Sequence, residues 1–231
     1  MSRQTRKICY NFRGADAPPV VASRLGSLCS KITGSCTVKS VSGGSMDLAL
    51  DATSEVQSAT LYSGDILPFD IEDLIRVSFI AKLTASLPAA VMCSFGVASA
   101  FNAALDSVAQ HAWFRCDGNS LVVETDDGTN DNDDKATGFS LSTTYRRCVI
   151  DFSTGILTRS PPAASLGGRA QTQFFVSNDT GALQRVAQST SFDLSNYAGN
   201  LQLFAQIQKT TGTAVGTLSI LEAEVEYKLP V

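Results

Sequence analysis

"AWFRCDGNSLVVE", residues 112–124, decides the fold. Two β-rich runs flank Asp117-Gly118, and Asp-Gly between such runs is the strongest short-range signal for an antiparallel hairpin. In alternating strands one residue of the Trp113-Phe114 pair points to the core and the other outward, and the same holds for Phe174-Phe175.

The same punctuation recurs on both sides of this hairpin. Upstream lie "CTVKSV", "MDLAL", "SATLY", "LIRVSFIAKLT" and "AVMCSFGVA". Downstream lie "YRRCVIDF", "QTQFFVS", "ALQRVA", "LQLFAQIQK" and "TLSILEAEVEYKL". In "RVSFIAKL" the residues Val77, Phe79, Ala81 and Leu83 share one face, the period of two that marks a half-buried strand. In the last run Glu222, Glu224 and Glu226 oppose the apolar set, with a slip of phase at Leu221 that predicts a bulge. Only "FNAALDSVAQ" (101–110) has a helical pattern. Many short strands without βαβ alternation predict an all-β, antiparallel two-sheet jelly-roll sandwich. Residues 154–170, with Pro161, Pro162, Gly167 and Gly168, read as a long surface loop.

A chain of 231 residues with 44% apolar and 17% charged residues can bury one sizeable core, and this composition excludes a disordered chain. Its charge is unevenly spread. Residues 1–40 carry Arg3, Arg6, Lys7, Arg13, Arg24, Lys31 and Lys39 against Asp16 alone, while acids outnumber bases by ten in the remainder. The expected organisation is a basic, extended N-terminal arm over 1–40 and a sandwich domain over 41–231. Arg3, Arg6, Lys7, Arg13 and Arg24 are the candidate contacts to an acidic partner surface. Nucleic acid is not the expected partner, because the arm offers only Tyr10 and Phe12 for stacking.

The six cysteines form no CxxC pair, and the start lacks the apolar run of a secretion signal, so reduced thiols are expected. Residues 83–105 carry no charge. With Pro88 and Asn102 inside, they read as a buried strand and an Ala-rich turn, not a membrane span.

Chemistry is concentrated in "ETDDGTNDNDD" (124–134), six carboxylates with no base. Asp126, Asp127, Asp131 and Asp133 are the candidate calcium ligands, since hard oxygen donors clustered at a loop suit that ion. The EF-hand spacing fails, with no Gly at the sixth loop position and no Glu at the twelfth. A solvated or partner-facing loop is the competing reading, and no other cofactor is expected. His111 is the only base available to a nucleophilic triad, and no GxSxG, P-loop or GxGxxG occurs. Glu124 with Asp151 is a carboxyl pair of glycosidase type on paper. No catalytic residues are expected.

The stretches "LYSGDILPFDIEDLIRVSFIAKL", "FGVASAFN", "HAWFRCDGNSLVVETDDGTNDNDDKATG", "VIDFSTG" and "TSFDLSNYAGNLQLFAQIQKTTGTAVGTLSILEAEVEY" resemble virion structural proteins of tailed bacteriophages. The resemblance spans about residues 46–228 and implies a concanavalin A-like (laminin G-like) β-sandwich. It further implies a head decoration or cement protein on the capsid exterior, binding the major capsid protein and copies of itself. A glycan- or receptor-binding module of the virion is the alternative that the same fold supports.

Overall fold

The computed structural model describes residues 4–12, 28–41, 44–153 and 171–229. In chain order its strands are β1 (Thr5–Asn11), β2 (Cys29–Thr33), β3 (Thr37–Val41), β4 (Ser45–Ala49), β5 (Gln57–Tyr62) and β6 (Phe69–Asp70). Next come β7 (Leu74–Leu83), β8 (Val91–Ala98), β9 (His111–Asp117), β10 (Ser120–Asp126) and β11 (Asp131–Ser140). The chain continues through β12 (Arg146–Asp151), β13 (Gln173–Ser177), β14 (Leu183–Val186), β15 (Asn200–Lys209) and β16 (Thr217–Lys228).

They form two eight-stranded antiparallel sheets. One runs β14-β13-β12-β7-β16-β4-β3 with β1 alongside β16, and the other runs β11-β10-β9-β8-β15-β5-β2 with β6 on β15. The hairpin of 112–124 is in place: Glu124 pairs with Trp113 and Leu121 with Cys116, turning through Gly118 at φ +63°. The phase slip is also present, as a register shift between Ile220 and Glu222 in the β16–β7 ladder.

Inward-facing residues of both sheets meet in one core. A chain of rings crosses it, Phe79–Phe95–Phe114–Phe174–Phe192, with centroids 4.9–5.6 Å apart. Such offset and edge contacts add to the transfer free energy of each buried ring. Phe114 therefore points in, and Trp113 packs in a separate cluster on the outer face.

Three expectations are corrected. The described parts of 1–40, residues 4–12 and 28–40, are not an arm outside the sandwich: β1 pairs with β16 over its full length, and β2 and β3 are strands of the two sheets. The reason lies in the alternation of exposed Lys7, Cys9 and Asn11 with Ile8 and Tyr10, whose apolar bodies pack against the core. The helical pattern of 101–110 yields only one 3-10 turn, Leu105–Ser107. Most of the acidic stretch is not a loop, because Asp131 begins the ten-residue edge strand β11 and only 127–130 turns. The 154–170 loop and Arg3, Arg13 and Arg24 lie outside the described residues. The uncharged 83–105 segment holds β8, and among the described residues no helix is long and apolar enough to cross a membrane.

Candidate functional site

The candidate site lies on the outer face of the β11-to-β2 sheet. Strand β15 shows how it is built. In "NLQLFAQIQK" the residues Leu201, Leu203, Ala205 and Ile207 face the core, which leaves Gln202, Phe204, Gln206 and Gln208 on the opposite face. These amides are buried, and they hold the segment 99–110 against the sheet as a strap. Gln208 Oε1 accepts from Leu105 N–H at 2.9 Å, and Gln206 Nε2 donates to Ala103 O at 2.9 Å. Gln202 Nε2 donates to Ser99 O at 2.8 Å and to Asp65 Oδ1 at 2.8 Å. Asp65, at φ +58°, also accepts from Phe101 N–H at 2.7 Å. Each bond satisfies a polar group that burial would otherwise leave at a cost of about 1–3 kcal/mol. Under the strap, Leu105 and Val108 pack with Trp113 and Phe204.

Where the strap meets β9, β10 and β11 a cavity of about 280 Å³ opens. Its floor is Trp113, fully buried, with His111 stacked on the indole at 3.8 Å. Gly96 makes room for this. A Cβ there would run into Ala112 O and lie 2.7 Å from Trp113 Cα, so the residue is one of close backbone approach.

Five ionisable groups set the electrostatics around this floor. Glu124 is 2% exposed; its Oε2 accepts from Trp113 Nε1–H at 2.7 Å, and its Oε1 has no hydrogen bond, with Arg115 Nη1 3.4 Å away. Burial pushes its carboxyl up to about 7, and Asp134 beside it adds to the rise against the pull of Trp113 and Arg115. Arg115 also donates to Asp106 Oδ1 at 2.7 Å. Burial, helped by Arg115, lowers His111 to about 4. His111 is 8% exposed; Nδ1 lies 3.3 Å from Val108 O, an acceptor, which makes Nδ1 the protonated nitrogen. Nε2 is then an acceptor, and it has no partner.

A bulge delivers the remaining acids. The β10–β11 register shifts between Val123 and Thr125, so that Asp133 and Asp134 both stand opposite Glu124. Asp134 takes φ +49° there. Burial and the neighbouring Asp131 raise Asp133 above its ordinary value.

The four sequence-nominated carboxylates separate. Asp126, Asp131 and Asp133 line the cavity, and Asp127 does not. Burial opposes the charge of Asp127, but donors from Thr129 N, Asn130 N, Asn130 Nδ2 and Asn196 N hold it below its ordinary value. It caps the 127–130 turn and ties it to the 190s. Among the described residues the only three ligand atoms of His, Cys, Asp or Glu that converge within 4.8 Å belong to Cys9, Glu222 and Glu224, on the other sheet. The nominated acids therefore offer no assembled metal shell. Glu124 and Asp151 sit in different sheets and face away from each other, so they form no glycosidase pair. Of the nominated bases, Arg6 is exposed on β1, and Lys7 is spent on Glu224 at 2.6 Å. Sequence reading missed Arg115 and the glutamine row. Amides at every second position of a strand, where charges would mark a solvated face, were the available signal for a covered one.

No family model matches the sequence, and no curated protein matches it. The bacteriophage affiliation expected above finds no support there. Solved structures do share the fold. A Shewanella oneidensis protein of unknown function superposes with TM-score 0.62 at 12% identity, covering 99% of this chain and 88% of that one. Peanut lectin gives 0.55 at 11% identity, with 99% of each chain covered. The transglycosylase Crh5 gives 0.56 at 10% identity, covering 97% of this chain and 85% of that one. The chain has a concanavalin A-like, legume-lectin-like β-sandwich fold.

Proposed function

We propose that this chain is a carbohydrate-binding β-sandwich module whose ligand enters the cavity over Trp113. The observation that carries the reading is the cavity itself. It combines an indole floor, about 280 Å³ of space and two buried acceptors without hydrogen bonds, His111 Nε2 and Glu124 Oε1. Concave sites with an aromatic surface and a few convergent polar groups suit small ligands. Lectin-type neighbours fit the same reading. Trp113 is the only tryptophan, so its fluorescence reports occupancy directly. A glycan array followed by fluorescence titration of the hits tests it. Saturable quenching that the Glu124→Gln variant loses is the expected result, and an array without hits ends the proposal.

A second reading, glycosyl transfer or hydrolysis, has one observation in its favour. A carboxyl raised to about 7 can act as a general acid at neutral pH, and Asp126 follows two residues later on the same face. Release of new reducing ends from bound oligosaccharides would establish it. The capsid-decoration role rests on the sequence resemblance alone. Labelling on purified virions tests it, with many copies over the head expected.

A further inference from the structure

Resting on the carbohydrate-binding reading, we infer that the cavity selects sugars bearing a protonated amine, hexosamines with a free –NH3+, over their N-acetylated, neutral and acidic counterparts. The charge balance around the cavity carries this. Asp106, Asp126, Asp131, Asp133 and Asp134 face a single guanidinium, Arg115. That guanidinium is already engaged by Asp106, Asp117 and Glu124. Among the described residues no ion pair reaches Asp126, Asp131, Asp133 or Asp134, so the β11 wall is an uncompensated negative surface.

Acidic residues alone would mark only a solvated edge. Here a second observation points to a ligand. His111, 8% exposed, lines the cavity, and its Nε2 is an acceptor without a hydrogen bond. Buried acceptors left open are rare because they forfeit a hydrogen bond that water supplied. Apart from Arg115, whose Nε–H is itself without a hydrogen bond, the charged groups of the wall are carboxyls, and the complementary ligand is rich in donors and positively charged. Desolvated carboxylates also strengthen their attraction for a cation relative to water.

The occupant has molecular size. A cavity of about 280 Å³ is many times the volume of one ion or water. The acids of this wall also bring no three ligand atoms within 4.8 Å of one another. The ammonium fits the Asp131–Asp133 side, and the hydroxyls of the ring donate toward His111 Nε2. Uronic acids and sulfated sugars meet like charge and are rejected.

The test is a Trp113 fluorescence titration of the full chain at pH 6 and low salt. The probes are a glucosamine tetramer, its N-acetylated form, a galacturonate tetramer, putrescine and calcium chloride. The glucosamine tetramer is expected to bind at least tenfold tighter than the N-acetylated one, with affinity that falls as salt rises. The Asp131→Asn/Asp133→Asn double variant, at exposed edge-strand positions, is expected to bring the two tetramers to equal affinity and to remove the salt dependence, and a variant that keeps the tenfold preference overturns the inference; circular dichroism checks its fold. Equal affinity for the two tetramers overturns the amine selectivity and leaves the carbohydrate reading standing. Binding of putrescine with no saccharide bound overturns both. Micromolar quenching by calcium alone replaces the amine with a metal and overturns the inference.

Discussion

Glu124 and Trp113 are direct cross-strand partners, and the carboxylate of the first accepts the indole N–H of the second at 2.7 Å beneath the strap. The bond fixes the ring plane that floors the cavity. Its loss leaves a buried donor unmatched, and Arg115 loses its most buried partner. Glu124→Ala is expected to lower stability by about 2–4 kcal/mol. Glu124→Gln keeps an acceptor for the indole and should stay within about 1 kcal/mol at pH 7. Urea denaturation of the two variants decides this, and equal midpoints would sink the assigned role.

Glu124 and His111 act on stability in opposite directions. Glu124 rises from 4.5 to about 7 on folding, so its contribution is full below pH 4.5 and is lost as pH climbs through 7. His111 falls from 6.5 to about 4, so its contribution is full above pH 6.5 and is lost as pH drops through 4. Between these limits the two slopes largely cancel in the native protein. Glu124→Gln is therefore expected to steepen the rise of Tm with pH from 4.5 to 6.5 and to gain on the native protein above pH 7. Thermal melts from pH 4 to 8 measure it; parallel curves would refute the opposed pair.

Gly96 sits where β8 passes between Trp113 and Phe204, whose rings lie 5.9 Å apart. Gly96→Ala should force β8 from β9 and cost about 1–3 kcal/mol. The indole would tilt with its strand. A melt paired with Trp113 emission reads both effects, and an unchanged spectrum would contradict the close approach.

Lys209 is 1% exposed and donates from Nζ to Asp51 O, Thr53 O and Ala214 O at 2.5–3.1 Å. Three backbone carbonyls thus share one ammonium that closes the 51–53 and 214 segments on the end of β15. Lys209→Met keeps the stem and removes the donors, with an expected loss of about 2 kcal/mol after relief of the buried charge. Chemical denaturation provides the check, and a stabilised variant would show that desolvation outweighs the three bonds.

Gln208→Leu removes the acceptor of Leu105 N–H without touching the core face of β15. Faster hydrogen exchange at Leu105 and a red shift of Trp113 emission are expected, with protection of β15 unchanged. Loss of protection throughout β15 would show that the amide serves the sheet and not the strap.

Much of this was legible from residue order. Val77, Phe79, Ala81 and Leu83 alternate strictly, and Asp117-Gly118 names its own turn, so the central strands follow from local rules. Strand β1 did not, because Arg6 and Lys7 suggest solvent until Glu222, Glu224 and Glu226 are known to lie beside them. The pairing partners are more than two hundred residues apart, and no local pattern carries such a contact. Strand β11 was hidden for a related reason. Asp131, Asp133 and Asp134 disfavour a strand by propensity, and the pairing with β10 overrides them. The cavity was half legible. Its acids stood out by density, but their convergence on Trp113 and His111 depends on a bulge that spacing does not announce.

Across generations the strap can change without the sheet. Its attachment to the sheet runs through side-chain amides of β15 and one aspartate, not through a shared backbone ladder. A seam of that kind lets residues 99–110 be exchanged, lengthened or shortened while every strand keeps its register. One wall of the cavity is thereby free to diversify, and a graft of foreign strap sequences onto this frame is a practical route to new ligand preferences.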